Sequence, residues 1–236
     1  MPVASTTPTP LGRTLITGGA SGLGAAVADA VAAGGGSPIV LDLRIPEGFP
    51  HPAYEGDVTR TREIEELVRR IVSEQGGLDA VVTAAGIDKP GRLTDIAGED
   101  WERVIAVNLL GTAAVVRAAL PALIESHGRV VTVSSSLGVR AVSDATAYSA
   151  SKFGVIGFSR ALAAETRGQI GVTTLVPAGM KTRFFDGRTP QYAPGEDANL
   201  NDPANVANAV VFALTSPRGS EIRELSVMHE EEPSWP

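Results

Sequence analysis

Cysteine is absent from the sequence. That excludes disulfides, thiolate metal ligands and a cysteine nucleophile, and it suits a reducing compartment. Histidine is nearly as scarce. His51, His127 and His229 lie far apart and match no zinc-ligand spacing, so no metal site is expected. An excess of positive charge is missing too. Twenty Lys and Arg stand against 27 Asp and Glu, a formal net charge of −7, and no basic run occurs. Such a field repels phosphate backbones, so nucleic acid is not an expected partner. No apolar run reads as long enough to span a membrane. Residues 1–10 are Pro- and Thr-rich without an apolar signal core and read as a loose tail. Cytoplasm is the expected location.

What remains is an ordinary globular composition, with 43% hydrophobic and 20% charged residues over 236 positions. No repeat or linker divides the chain. Short β-branched runs at 14–17, 38–42, 78–83, 129–133, 172–176 and 224–228 read as strands. Between them, 22–33, 59–75, 100–125, 148–167 and 203–215 read as helices. Pro121 is expected to kink or restart the long third helix. This alternation predicts a doubly wound parallel sheet in a three-layer α/β/α domain over 11–229, with an acidic tail at 230–236 that contains Trp235. Ligands of such a sheet bind beyond the carboxyl ends of its strands.

The notable motifs fall there. Thr17-Gly18-Gly19-Ala20-Ser21-Gly22-Leu23-Gly24 joins the first strand to the first helix. Its glycines permit a tight turn and close approach to a pyrophosphate, and the helix N-terminus supplies free N–H groups. A plain Gly-rich loop is the alternative, and the flanking strand and helix favour a dinucleotide site. Asp42 closes the second strand 18 residues after Gly24. A carboxylate there accepts from ribose hydroxyls and repels a 2′-phosphate, which favours NAD over NADP; Arg44 nearby softens that repulsion. Asp57 and Val58 read either as an adenine contact or as an N-cap ahead of the next helix, and the two are compatible.

Tyr148 and Lys152 are four residues apart on a helix, hence on one face. A cation at about 4 Å is worth roughly 4 kcal/mol at an effective dielectric of 20. That predicts a phenol pKa lowered by up to about three units, and a usable acid/base. Tyr-x-x-x-Lys in isolation is more often an exposed helix pair. Ser134, Ser135 and Ser136 end the fourth strand, where one hydroxyl can hold a substrate oxygen while the others cap the strand. Asn108 lies among apolar neighbours. It either fixes a water relaying protons to Lys152 or serves as a buried residue at a helix kink.

Together these segments resemble the short-chain dehydrogenase/reductase family over about residues 11–216, in the family's order. The glycine turn matches Thr-Gly-x-x-x-Gly-x-Gly. Asn108, Ser135, Tyr148 and Lys152 match its Asn-Ser-Tyr-Lys tetrad, Ser135 standing 13 residues before the tyrosine. The resemblance implies a Rossmann-type fold and a nicotinamide cofactor held by Gly18, Ser21, Gly22, Leu23, Gly24, Asp42, Asp57, Val58, Ala84, Ala85, Gly86, Tyr148, Lys152, Pro177, Gly179, Met180 and Thr182. Ser21 stands where NADP-using members commonly carry a basic residue, which again favours NAD. Three departures stand out. Thr83 replaces a usual Asn. Ala178 replaces the glycine of Pro-Gly, which strains the loop if the position needs a positive φ unless Gly179 takes over the turn. A non-glycine strand ends the chain.

The resemblance implies an NAD(H)-dependent alcohol dehydrogenase or ketone reductase acting on a small-molecule alcohol or carbonyl, without metal, as a homodimer or homotetramer. The alternatives are an idle NAD-binding sensor or scaffold, and an epimerase or dehydratase on the same scaffold. The polar lobe at 181–202, with Arg183, Asp186, Arg188 and a few aromatics, and the segment 137–147 with Arg140, are the expected substrate walls.

Overall fold

The computed structural model describes residues 7–232. Seven strands form one parallel sheet: β1 (Arg13–Thr17), β2 (Ser37–Asp42), β3 (Ala53–Glu55), β4 (Ala80–Thr83), β5 (Arg129–Val133), β6 (Gly171–Pro177) and β7 (Glu224–Val227). Their order is β3-β2-β1-β4-β5-β6-β7. The chain winds outward one way from β1 and the other way from β4, so a crevice opens where these two neighbours part. The ladders place Thr17 beside both Leu41 and Thr83, which aligns the carboxyl ends around that crevice.

Period-two alternation divides the sheet between two cores. Leu15, Ile39, Leu41, Val81 and Val130 point to the layer of α2 (Thr61–Gln75), α4 (Thr112–Ser126) and α5 (Thr146–Glu165). Ile16, Val40, Val82, Val131 and Leu175 point to α1 (Gly22–Ala33) and α6 (Pro203–Leu214). On α2 the apolar spacing buries Ile64, Val68 and Ile71, and Gly76 ends the helix at φ 69°. Asp202 starts α6 by accepting from the Ala204 N–H, with Pro203 at the first helical position.

The doubly wound sheet is as read from sequence; several details differ. The edge strand β3 was not expected, because three residues carry too little pattern. Asp57 does not cap α2. It accepts from the Thr59 N–H and hydroxyl at 2.9 and 2.7 Å, a local turn, and the helix opens later, after Arg60. The helix does not restart at Pro121, since α4 carries that proline through its interior. The break lies instead at a π-helical stretch, Ala106–Gly111, between α3 (Gly98–Ile105) and α4. Contrary to the sequence reading, the continuous segment Gly98–Ser126 is long and apolar enough by length and composition to cross a membrane; its most apolar stretch is 56% buried inside the protein. A helix packed on a sheet passes that test for the sake of its core face. Both tails read from sequence run outside the described residues, Trp235 among them. Within the first tail, Thr9 is tethered by bonds to the carbonyls of Thr215 and Ser216.

Leu15 on β1 is fully buried. Leu15→Ala is expected to cost about 2–5 kcal/mol, read as a lower urea midpoint with an unchanged slope.

Candidate active site

The glycine turn between β1 and α1 is forced by space as well as torsion. Gly18 adopts φ 66°, and a Cβ there would lie 2.7 Å from the Ala85 backbone. A Cβ on Gly24 would lie 2.1 Å from the Gly18 carbonyl oxygen. Only glycine lets α1 start so close to the strand ends. The turn is braced from β2. Asp42 accepts from the Ala20 N–H at 2.9 Å and from the Leu43 N–H at 2.7 Å.

Beyond the strand ends lies a cleft of about 1050 Å³. Of the catalytic and cofactor-binding residues named from sequence, only Asn108 does not line it; of the expected wall 137–147, Leu137 lines it and Arg140 does not. The glycine turn, Asp42, Asp57-Val58, Ser135, Tyr148, Lys152 and residues of the 177–182 segment all line this one cleft. Arg44 is exposed and outside the lining. Burial would raise the Asp57 carboxyl, but the bonds from Thr59 hold it below the ordinary range.

Lys152 is only 4% exposed, and its Nζ donates to the Val133 carbonyl at 2.9 Å. It stands 5.5 Å from the centre of the half-buried Tyr148 ring. The expected lowering of the phenol does not occur in the ligand-free protein. Burial pushes Tyr148 up to about 12, with the Ser135 hydroxyl pulling the other way and Asp88 adding to the rise. Burial likewise pulls Lys152 down to about 8. Desolvation outweighs the cation here because the ammonium is turned to a carbonyl rather than held against the phenol oxygen.

The three serines separate by partner. Ser134 donates to the Lys152 carbonyl at 2.9 Å and is consumed in holding the helix. Ser136 heads a short 3₁₀ turn, Ser136–Gly138. Ser135, which accepts from the Leu137 N–H at 3.2 Å, is the one that meets Tyr148. Asn108 sits in the π-helical stretch, as π segments often do near functional sites. It accepts from the Ile87 N–H at 2.9 Å, and its amide donates to the Ile87 carbonyl at 3.0 Å and to Ser151 at 2.9 Å. These bonds pin the strand end after Gly86.

At 177–182, Ala178 has no positive φ and is unstrained. Gly179 does not take over a left-handed turn; a Cβ there would lie 2.7 Å from the tip of the Leu200 side chain, which would have to move aside. Thr182 lies beside the glycine turn, where a Cβ on Gly22 would approach it at 3.5 Å. The Thr83 hydroxyl, standing where the family has Asn, is buried without a partner. Sequence reasoning missed Asp88, a buried acid of the cleft that pairs with Arg188 at 2.9 Å. The sole signal was an acid just past the strand-end Ala84-Ala85-Gly86, and its partner lies 100 residues away.

A glycine cradle over a helix start, an acid at the end of the second strand and a tyrosine–lysine helix in one cleft define a dinucleotide-dependent oxidoreductase of the doubly wound class. The short chain dehydrogenase family model matches residues 13–193, and the chain belongs to that family. An uncharacterised oxidoreductase of Staphylococcus aureus strain MW2 is 32% identical over 90% of this chain and 95% of its own length. The glycine betaine reductase of Emericella nidulans is 30% identical over 93% of this chain but only 19% of its own length. Among solved structures, the aldohexose dehydrogenase of Thermoplasma acidophilum superposes with a TM-score of 0.82 at 25% identity, covering 92% of each chain. An alcohol dehydrogenase of Thermococcus sibiricus, complexed with 5-hydroxy-NADP, shares the fold with a TM-score of 0.83 at 23% identity, over 94% of this chain and 98% of that one. The chain is therefore an oxidoreductase of a family that uses nicotinamide cofactors on small molecules.

The depressed Lys152 gives a pH signature. An unfolded lysine keeps its proton up to about 10.4, whereas the folded one releases it near 8. Between those values the unfolded state binds more protons, so this group adds stability as pH rises from about 8 to 10. Below 8 that contribution is absent. The stability difference between the wild-type protein and Lys152→Met should change over that window in the wild type's favour by about 2–3 kcal/mol, read by urea titration at each pH. A pH-independent difference would show that the side chain is not desolvated.

Proposed function

We propose that the chain is an NAD(H)-dependent alcohol dehydrogenase or ketone reductase that moves a hydride between nicotinamide and a secondary alcohol or carbonyl. The observation that carries this reading is the meeting of Ser135, Tyr148 and Lys152 in the same cleft as the glycine turn. The residues present fit the cofactor. Gly18 and Gly24 leave a cradle that side chains would fill, and Thr182 lies beside it. The adenosine half suits Asp42, Asp57 and Val58. The nicotinamide half suits Ala84, Ala85, Gly86, Pro177, Gly179, Met180 and Thr182. When bound, the nicotinamide supplies or takes the hydride.

The remaining work falls to the protein. Ser135 donates to the substrate oxygen and sets it beside the phenol. Tyr148 donates its proton to a carbonyl being reduced, and its phenolate accepts the proton of an alcohol being oxidised. In the ligand-free state the phenol is held protonated, the form that reduction needs. The positive charge of an oxidised nicotinamide favours the phenolate for the reverse direction. Lys152 binds the ribose from its seat on Val133, and Asn108 keeps the strand end rigid beneath it. The structural neighbours named for an aldohexose and an alcohol are in keeping with alcohol chemistry. Asp42 argues for NAD here despite the NADP-type ligand of one of them. The reading extends to one catalytic domain over 11–229 in a cytoplasmic homodimer or homotetramer. Leu110 and Phe153, about half exposed on the long helices, supply apolar surface for that association.

The reading is tested by NADH consumption at 340 nm over a panel of ketones. Tyr148→Phe should lower kcat by about 10²–10⁴-fold while NADH still binds. The wild-type oxidation rate should climb with pH and the reduction rate should fall. Full activity in the Phe variant would remove Tyr148 from the mechanism. Cofactor choice is tested separately. Asp42→Ala should narrow the preference for NADH over NADPH by about tenfold or more, and equal use of both by the wild type would refute the charge argument.

A further inference from the structure

One buried charge pair has no role in the steps above. Asp88 runs off the end of β4 into the cleft wall, its side chain 6% exposed. One carboxylate oxygen accepts from Arg188 at 2.9 Å and the Lys89 backbone N–H lies close to the carboxyl group, but Oδ1 is buried with no partner in hydrogen-bond geometry. Arg188, 14% exposed, lies over the rings of Phe184 and Phe185 at 5.1 and 4.7 Å. It also donates to the Tyr192 carbonyl at 3.3 Å, and the Tyr192 hydroxyl donates to Asp144 at 3.1 Å. Phe184 in turn packs on Tyr148, with ring centres 5.8 Å apart. The pair is thus held beside the phenol, and Asp88 is within electrostatic reach of both Tyr148 and Lys152. Stability gives little reason for it, since a buried ion pair is commonly matched by an apolar pair of the same size. A buried acceptor without a donor is a cost. A molecule entering the cleft with a donor in that place removes the cost.

We propose that Asp88, positioned by Arg188, receives a second hydroxyl of the substrate, on the carbon next to the reacting one, so that the enzyme prefers vicinal diols and α-hydroxy ketones. The inference rests on the dehydrogenase reading of the cleft. A hydroxyl fits where other groups do not. An ammonium would meet the charges of Lys152 and Arg188, and a substrate carboxylate would meet Asp88. In oxidation, the reacting carbon gives its hydride to NAD⁺ and its O–H proton to Tyr148. The neighbouring hydroxyl keeps its O–H bond and hydrogen-bonds to Asp88, and the product is the α-hydroxy ketone.

The test compares kcat/KM for 2,3-butanediol and 2-butanol with NAD⁺, using the full chain and measuring NADH binding by fluorescence in parallel. The expected ratio favours the diol by at least about tenfold. In Asp88→Asn the amide can keep Arg188 on its oxygen while turning N–H toward the substrate, so the ratio should fall toward one. The double variant Asp88→Leu/Arg188→Met replaces the pair by apolar groups and should prefer 2-butanol. Acetoin should raise the melting temperature of the NADH-loaded wild-type protein more than 2-butanone does. A wild-type ratio near one, a ratio unchanged in both variants, or equal thermal shifts overturns the inference while leaving the dehydrogenase reading intact. Failure to bind NADH or to turn over either alcohol overturns both.

Discussion

A buried lysine hung from a strand-end carbonyl organises the site. Lys152 reaches the Val133 carbonyl from α5, and Ser134 returns a bond to the Lys152 carbonyl. These two contacts lock the helix that carries Tyr148 against the end of β5. They also take the ammonium out of water, which pulls it to about 8. A group that is costly to bury is tolerated where it fixes geometry and stands ready for a ligand. Much else is arranged around it. Gly86 is small enough that a Cβ would come only within 3.6 Å of the ammonium, and Asn108 holds the next residue, Ile87, by both backbone groups.

The electrostatics of the cleft do not follow from the Tyr148–Lys152 pairing alone. Simple pairing of Tyr148 with Lys152 predicts an acidified phenol. In the folded protein both groups are driven toward neutrality, because each loses more solvation than it gains from the other. Burial thus favours the protonated phenol. Ser135 pulls the other way.

Much of this was legible in the sequence, for a physical reason. Period-two runs such as Leu15-Ile16 and Val81-Val82 read as strands because each successive residue meets a different core. The glycine turn read correctly because Gly18 and Gly24 answer a steric demand that no other residue meets. What did not read was set by distant partners. Asp88 looked like loop until Arg188 was brought to it. Pro121 looked like the helix break, whereas the real irregularity lies at Asn108, whose hydrogen bonds to Ile87 and Ser151 cross the fold. Residue chemistry alone leaves Ser134, Ser135 and Ser136 open and the family spacing points to Ser135; their separation by partner needs α5 over the strand end. Local pattern carries the elements; pairing of polar groups across the sequence carries the site.

The brace between β2 and the glycine turn links two properties that would otherwise be separable. The Asp42 carboxylate that faces the cleft is also what ties down the amide of Ala20. Exchanging it for a residue hospitable to an extra phosphate slackens the very loop that must seat the pyrophosphate. On the proposed NAD reading, nucleotide choice and loop anchoring therefore sit on one side chain, and a substitution of Asp42 alters both at once.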